Sequence, residues 1–277
     1  MTYGNGLFVA VGDVGTIITA LTAQTWSVQT SGTAKNLYAI SSGNGVIVTA
    51  GDAGNILISS NADSWESATS GSASNLLGLT FANNKFIAVG DLGTILSSSN
   101  GRIWNTVTSG TTNNLSGVTY GNGLFVSVGK SGTLLTSADG NSWSNVNSGS
   151  TNNLYAVVYG NGVYVAVGSG GTVLISNTGS SWQIQSSSSS TQLNGVAYGN
   201  GQFVAVGNFG TILTSANGIN WSVQSSGTDS NLLNITFANG TFTAVGENGT
   251  ILTSSNGVSW TQLPAMNAIT LYSITAY

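Results

Sequence analysis

The chain has 277 residues without cysteine or histidine, and 4% of its residues are charged against roughly 25% in a typical soluble protein. Four Lys and Arg residues against eight Asp and Glu residues give a net charge of −4, and the cations are scattered, which argues against a nucleic-acid partner: Lys35, Lys85, Arg102 and Lys130. The missing residue types exclude disulfides, thiolate chemistry and Ser-His-Asp catalysis.

The apolar residues are numerous enough for a folded core, but they are not consecutive enough for a membrane-spanning helix. Seven Trp, nine Tyr and eight Phe residues accompany many Val, Ile and Leu residues. No stretch approaches 18 consecutive apolar residues, and residues 1–4 enter the repeat pattern without the features of a signal peptide. We therefore expect a soluble chain without membrane insertion, in a compartment that the sequence leaves undetermined.

One unit of 39 residues repeats seven times along the chain. The tryptophans mark it at a constant spacing: Trp26, Trp65, Trp104, Trp143, Trp182, Trp221 and Trp260. Seven units account for all but four of the 277 residues. This regularity predicts one closed domain over residues 1–277. It also suits a recently amplified or deliberately symmetrised chain.

Each repeat predicts four short strands. In the repeat at residues 153–187, apolar runs LYAVVY, VYVAVG, TVLIS and WQIQSS are separated by turns, and we expect each strand to span about five or six residues. Asn-Gly between the first two runs predicts a tight hairpin, and it recurs at Asn5, Asn44, Asn122, Asn161, Asn200 and Asn239. Helical periodicity is absent, and a three-fold trefoil cannot hold seven units. The sequence thus predicts an all-β, seven-bladed β-propeller with four antiparallel strands per blade.

The two ends of the chain predict how the ring closes. Residues 271–277 align with the first strand of the other repeats, so they are expected to complete the blade that begins at the N-terminus. Residues 1–4 are equivalent to residues 274–277 in the repeat register. Only one of these segments can occupy the shared position, and we expect the other to leave the sheet.

The turn before each tryptophan is the most specific local motif. Ser98-Ser-Asn100-Gly101-Arg-Ile-Trp104 is one example, in which the Asn side chain can bond the backbone of its own turn and Gly permits positive φ. This turn resembles the Asp-box, or BNR, repeat of sialidases, sortilin-type receptors and bacterial propellers. The preceding phrase, Val89-Gly90-Asp91-Leu92-Gly93-Thr94-Ile95-Leu96, resembles repeats of the photosystem II assembly factor family.

The resemblance implies a propeller fold in which the Asp-box turns brace the face opposite the binding site. It does not imply an activity, because these repeats serve many functions. Sialidases use three arginines to hold the substrate carboxylate, and Arg102 is the only arginine here, which excludes that activity.

Half of the acidic residues occupy one repeat position, directly after the glycine that ends the second strand. Because the seventh blade adjoins the first, they form a continuous acidic arc: Glu247, Asp13, Asp52 and Asp91. One interpretation is that these side chains cap tight turns locally. The alternatives are a ligand-binding site for a cation or for sugar hydroxyls, and a pair of catalytic carboxylates for glycoside hydrolysis.

The polar connections between repeats suggest a binding surface. Each connection precedes a leucine present in all seven repeats, which is expected to anchor the first strand in the core, and tyrosines follow this leucine at positions 38, 155 and 272. These tyrosines either pack between blades or stack a ligand, and packing is favoured. We predict a non-catalytic binding or scaffold propeller that has a protein or glycan partner and no cofactor or metal. The alternatives are a glycoside-active enzyme that uses the acidic arc, and an amplified ring without a selected ligand.

Overall fold

Twenty-eight β-strands form seven antiparallel sheets in the residues that the computed structural model describes, 6–265 and 268–277. The first blade contains β1 (Phe8–Gly12), β2 (Ile17–Ala20) and β3 (Ser27–Gln29), and it is completed by β28 (Leu271–Ala276). The second blade contains β4 (Leu37–Gly43), β5 (Val46–Gly51), β6 (Ile56–Ser59) and β7 (Glu66–Ala68). The third contains β8 (Leu76–Ala82), β9 (Lys85–Gly90), β10 (Ile95–Ser98) and β11 (Asn105–Val107).

The remaining four blades repeat the same order. They contain β12 (Leu115–Gly121), β13 (Leu124–Gly129), β14 (Leu134–Ser137), β15 (Ser144–Asn145); β16 (Leu154–Gly160), β17 (Val163–Gly168), β18 (Val173–Ser176), β19 (Gln183–Gln185); β20 (Leu193–Gly199), β21 (Gln202–Gly207), β22 (Ile212–Ser215), β23 (Ser222–Gln224); and β24 (Leu232–Ala238), β25 (Thr241–Gly246), β26 (Ile251–Ser254), β27 (Thr261–Gln262). The chain is therefore a seven-bladed β-propeller, as its sequence predicts.

Strand length falls from the centre of each blade to its edge. The first strands of neighbouring blades contact one another around the ring, so they are the inner strands. Complete inner strands have seven residues in blades two to seven, whereas the outermost strands have only two or three. The expectation of about five or six residues for every strand is too long for the third strands, which have four, and wrong for the outermost strands. These pair on one side only, so fewer hydrogen bonds hold their ends in the sheet.

Asn-Gly turns join the inner strands to the second strands. Asn44 and Gly45 have φ of 51° and 73°, and the same left-handed pair recurs at Asn122, Asn161, Asn200 and Asn239 with their following glycines. Two consecutive residues with positive φ form the turn that matches the twist of a β-hairpin. This part of the hairpin prediction is confirmed, and Asn5 lies outside the described residues.

The C-terminal segment supplies the inner strand of the first blade. Strand β28 pairs with β1 in antiparallel register, from Phe8 opposite Ala276 to Gly12 opposite Leu271. The backbones of Leu7 and Tyr277 extend this pairing with two hydrogen bonds of 3.0 and 2.8 Å. The closure is as predicted for residues 271–277. Residues 1–4 lie outside the described residues, so the expectation that one of the two equivalent segments leaves the sheet stays a prediction.

The apolar core lies between neighbouring blades. The leucine that begins each inner strand is at most 1% exposed: Leu37, Leu76, Leu115, Leu154, Leu193, Leu232 and Leu271. Trp104 packs against Phe86 of its own blade and against Val48 and Ile58 of the preceding blade. Trp26, Trp182 and Trp221 are also buried, whereas Trp65, Trp143 and Trp260 are half-buried. Each indole thus lies where two sheets meet.

The turn before the tryptophan is held by its own side chains. Asn100 Oδ1 accepts hydrogen bonds from the backbone N–H groups of Arg102 and Ile103 at 2.9 and 3.0 Å. The Trp104 indole N–H donates to the Gly101 carbonyl at 2.9 Å. The first repeat lacks the Ser and Asn of this turn, and the indole N–H of Trp26 has no partner among the described residues. The turn of the first repeat, which departs most from the shared motif, therefore lacks these side-chain hydrogen bonds.

No helix among the described residues is both long and apolar enough to cross a membrane.

Candidate functional site

The ring has two different faces. One face carries the turns between the second and third strands of each blade together with the connections that lead into the inner strands, and we name it the turn face. The opposite face carries the Asn-Gly hairpins and the tryptophan turns, as the bond from Asn44 Nδ2 to the Ser99 carbonyl indicates. The acidic arc therefore lies on the turn face, opposite the tryptophan turns.

A β-bulge at the start of every inner strand positions the residue after the leucine. In the second blade Leu37 pairs with Gly51 and Ala39 pairs with Ala50, so Tyr38 has no partner in the ladder. A Cβ atom on Gly51 would lie 1.9 Å from the Asn36 carbonyl oxygen, which explains the glycine at this position. Bulges redirect side chains locally. Here the bulge places seven residues around the end of the central channel, which we name the channel-mouth ring: Tyr38, Leu77, Ser116, Tyr155, Asn194, Leu233 and Tyr272.

The channel opens at the turn face as a cavity of about 440 Å³. The channel-mouth ring lines it together with residues one or two positions further along the inner strands, such as Ala39, Gly117 and Ala156. All seven inner strands contribute to this wall. A cavity of this size lies in the range of small-ligand pockets, about 300–1,000 Å³.

The channel-mouth ring has one aromatic side, where the first and second blades meet. Tyr38 and Tyr272 lie edge to face with ring centroids 5.0 Å apart. The Tyr38 hydroxyl donates a hydrogen bond to Asp52 Oδ1 at 2.6 Å, and the Tyr272 hydroxyl donates to Asp13 Oδ1 at 2.7 Å. Two members of the acidic arc are thus joined to the wall of the channel through tyrosines.

The phenols keep their protons well above neutral pH. Burial raises the pKa of Tyr38, and its hydrogen bond to the Asp52 carboxylate raises it further. Burial likewise raises the pKa of Tyr272, followed by its bond to Asp13 and by the charge of that carboxylate. Asp52 also raises the pKa of Tyr272, so both carboxylates act on the same aromatic pair.

The acidic residues hold the incoming connections rather than their own turns. Asp52 Oδ2 accepts from the Asn36 backbone N–H at 3.0 Å. Asp91 accepts from the side chains of Asn75 and Asn114 at 3.0 and 2.6 Å. Glu247 accepts from Asn231 Nδ2 at 3.0 Å. These hydrogen bonds differ from the local turn caps considered for the sequence, because the partners lie on the connections into the inner strands.

The arc does not gather its carboxylates at one point. Asp13 and Asp52 flank the tyrosine pair, while Asp91 and Glu247 bond to asparagines in the third and seventh blades. Among residues 6–265 and 268–277, no three acidic side chains are grouped closely enough to hold a metal ion.

The tips of the turns expose apolar side chains in a left-handed backbone conformation. Val14, Leu92 and Phe209 have φ of 51°, 55° and 54° and are 69%, 72% and 75% exposed. The amide of Phe209 donates to Asn231 Oδ1 of the next blade at 2.9 Å, and Val14 and Leu92 make the same bond to Asn36 and Asn114. Positive φ is unusual for a branched or bulky residue. The neighbouring blade therefore fixes each exposed tip.

The sequence left the channel-mouth ring incompletely identified. The sequence favours packing for the tyrosines, and Tyr38 and Tyr272 do contact each other, but they also line the channel. The bulge that turns them there has no sequence signal except the variable residue after an invariant leucine. No sequence pattern marks Leu92 and Phe209 as exposed surface residues either.

Comparison with solved structures identifies the fold. YCF48 bound to D1 peptide resembles the chain with a TM-score of 0.67 and 18% identity over 83% of this chain and 81% of that chain. YCF48 from Cyanidioschyzon merolae gives 0.66 and 16% over 84% and 86%. The WD40 β-propeller domain of Doa1 gives 0.69 and 16% over 86% of each chain. No protein-family model and no curated protein sequence matches the chain. At these identities the likeness shows that the chain has the β-propeller fold of these proteins.

Proposed function

We propose that the chain is a non-catalytic protein-binding propeller that holds a peptide segment of its partner on the turn face, at the channel mouth. The observation that carries this proposal is the cavity of about 440 Å³ at that face, which all seven inner strands line. One of the similar structures, YCF48, is described as bound to D1 peptide, which supports a peptide as the ligand class. A channel of this size accepts single side chains. The exposed tips on the same face contact other parts of the peptide.

The exposed tips supply the apolar contacts of such an interface. Leu92 and Phe209 are exposed. The turn does not require a large side chain at this position, since Gly170 and Asn248 occupy it in other blades. Apolar and aromatic anchors contribute most of the binding energy in protein interfaces. These tips therefore favour a protein partner.

The hydrogen bonds of the acidic arc favour a binding role over catalysis. Asp13 and Asp52 hold tyrosine hydroxyls, and Asp91 and Glu247 hold asparagine amides. A glycosidase needs one carboxyl group that is protonated to act as an acid beside one that is ionised. The carboxyl groups of the arc are instead engaged by side chains of the propeller itself, so we assign no catalytic step to this arc.

A glycan is the second candidate ligand, favoured by a separate groove. An open groove of about 900 Å³ lies beside the third blade, and hydroxyl-bearing residues provide much of its lining: Ser72, Thr94, Thr106, Thr108, Ser109, Thr111 and Thr112. Leu92 forms part of the same wall. Hydroxyl groups beside an apolar side chain suit a sugar ring.

We also propose that the tryptophan turns are Asp-box turns with a structural role. Asn61, Asn100, Asn217 and Asn256 each accept two backbone hydrogen bonds within the turn, and Asp139 does the same in the fourth blade. These side chains are occupied by the turn and lie away from the channel mouth.

A peptide-display selection tests the proposal. Random peptides are selected on the purified chain and then measured against the double variant Leu92→Asn/Phe209→Asn and a matched control, Ile219→Asn/Val258→Asn, on the opposite face. Ile219 and Val258 are exposed in tryptophan turns. We expect selected peptides to lose affinity for the first variant and to keep it for the control.

Two other results would redirect the assignment. Peptides that lose affinity only for the control pair would place binding on the opposite face and refute the proposal. If no peptide is selected, a glycan array decides between the sugar-binding candidate and an amplified ring without a selected ligand.

A further inference from the structure

We infer that the channel mouth recognises a cationic side chain of the bound peptide, an arginine or a lysine, and that Tyr38 and Tyr272 form the contact surface. This inference rests on the proposed function, since it names the chemistry of the side chain that enters the channel. The cavity and its aromatic wall carry the inference, while the nearby carboxylates determine which charge the site favours.

One side of the channel mouth is apolar along its whole length. In ring order Leu233, Tyr272, Tyr38 and Leu77 follow one another on adjacent inner strands. Arg and Lys have long aliphatic stems that pack on apolar surface while the charged group stays near polar atoms. The leucines can therefore cover the stem of such a side chain, and the two phenol rings lie beside its charged group.

The geometry of the tyrosine pair leaves ring surface for a cation. The rings meet at 66° with their centroids 5.0 Å apart, so they are not stacked on each other, and both side chains line the cavity. A cation over the face of a tyrosine ring is attracted by the ring electrons. Each hydroxyl keeps its proton and donates a hydrogen bond to a carboxylate, which increases the electron density of the ring and strengthens this attraction.

The charge around the pair is negative, and no salt bridge within residues 6–265 and 268–277 involves Asp13 or Asp52. Asp13 and Asp52 both raise the pKa of Tyr272, and both also raise the pKa of Tyr38. The ion pair among the described residues joins Arg102 to Glu66, away from this site. Lys35 lies next to Asn36 in the connection and is exposed to solvent. A cationic ligand would therefore neutralise charge that the protein itself leaves uncompensated.

The opposite side of the ring provides a contrast within the same chain. Tyr155 occupies the position of Tyr38 in the fifth blade, but its hydroxyl meets the Ser169 hydroxyl at 3.4 Å instead of a carboxylate. Ser116 and Asn194 flank it. This side has neither the apolar wall nor the negative charge, so the cation-binding chemistry is confined to the first and second blades.

The test uses short blocked peptides that differ in one side chain. The probes are acetyl-Ala-Ala-Arg-Ala-Ala-amide and the same peptide with citrulline, and a second pair with lysine and norleucine, each titrated calorimetrically at low salt. We expect the cationic peptides to bind at least about tenfold more tightly than their neutral counterparts. Equal affinity within a pair, or no binding of either cationic peptide at millimolar concentration, would overturn the inference.

Two variants assign the binding to this site. Asp13→Asn/Asp52→Asn keeps an acceptor oxygen for each tyrosine and removes the charge, and it should abolish the preference for the cationic peptides. Asp91→Asn is the matched control, because it changes the same turn position in the third blade, where Leu77 replaces the tyrosine. A loss of preference in both variants would show a general charge effect and refute the site. If displayed peptides bind the turn face but basic residues are not needed, the inference fails while the proposed function stands.

Discussion

The side chain of Asn114 bonds to Asp91 across the boundary between the third and fourth blades. Its Nδ2 donates to Asp91 Oδ1 at 2.6 Å, and its Oδ1 accepts from the backbone N–H of Leu92 at 3.0 Å. Both polar atoms of one carboxamide are thus used by the turn of the neighbouring blade. The Asn114 side chain therefore links two neighbouring blades and also fixes Leu92, an exposed tip of the turn face.

Replacing Asn114 by alanine should destabilise the propeller by about 1–3 kcal/mol, because two bonds between blades are lost and the Leu92 amide keeps its unusual conformation without a partner. The free energy of unfolding in urea measures the effect. Asn220→Ala, at an exposed position of a tryptophan turn, is the control and should stay within about 0.5 kcal/mol of the parent. Equal losses for the two variants would mean that the two hydrogen bonds of the Asn114 side chain contribute nothing to stability.

Phe209→Asn should stabilise the fold by about 1 kcal/mol while it weakens peptide binding. Phe209 has φ of 54° and is 75% exposed, and Asn tolerates this conformation better, as Asn248 does at the equivalent position with φ of 55°. Thermal unfolding and peptide titration of the same sample separate the two effects. A variant that is less stable than the parent would show that the aromatic side chain serves the fold.

Trp221→Phe should lower the free energy of unfolding by about 1 kcal/mol more than Trp26→Phe, although both indole rings are buried. The indole N–H of Trp221 donates to the Gly218 carbonyl at 3.0 Å, whereas that of Trp26 has no partner among the described residues. Both changes remove a similar ring volume, so the difference between them reports the hydrogen bond. Denaturant unfolding of both variants gives this difference, and identical costs would contradict the assignment.

The parent propeller, which has Asp139, should lose more stability in acid than the variant Asp139→Asn. Hydrogen bonds from the backbone N–H groups of Ser142 and Asn141 lower the pKa of Asp139 from 3.8 to about 2. A pKa that is lower in the folded chain means that the ionised form stabilises the fold above about pH 4, and that this contribution is lost as the pH falls through about 2.

The measurement for Asp139 is the unfolding temperature of the parent and of Asp139→Asn between these two pH values. In the third blade the residue equivalent to Asp139 is Asn100, which accepts the same backbone hydrogen bonds, so the variant should keep the turn. The stability difference between parent and variant should shift in favour of the variant as the pH falls. A difference that does not change with pH would show that this carboxylate makes no specific contribution.

Much of the fold could be predicted from the sequence because the repeat is constant. The spacing from Trp26 to Trp260 determines the number of blades, and the Asn-Gly pairs determine the hairpins. The equivalence of residues 271–277 to the other inner strands predicts the closure, since an inner strand without a partner would leave an open sheet edge.

The candidate site was harder to predict because it depends on contacts between repeats. Tyr38 reaches the channel through a bulge opposite Gly51, and no pattern in a single strand encodes this change of register. The bond between Asn114 and Asp91 joins residues 23 positions apart on different blades. The sequence therefore identifies the acidic position, while the structure identifies the connection and the tyrosines to which these carboxylates bond.

Amide hydrogen exchange with a selected peptide tests the central claim, that the turn face is the binding surface. Exchange is measured in the free chain and at saturating peptide concentration. The account predicts slower exchange in the connections and turns of the channel mouth, such as residues 33–38, 52–54 and 268–272, and no change in the tryptophan turns, such as residues 99–103. Protection confined to the tryptophan turns would contradict it.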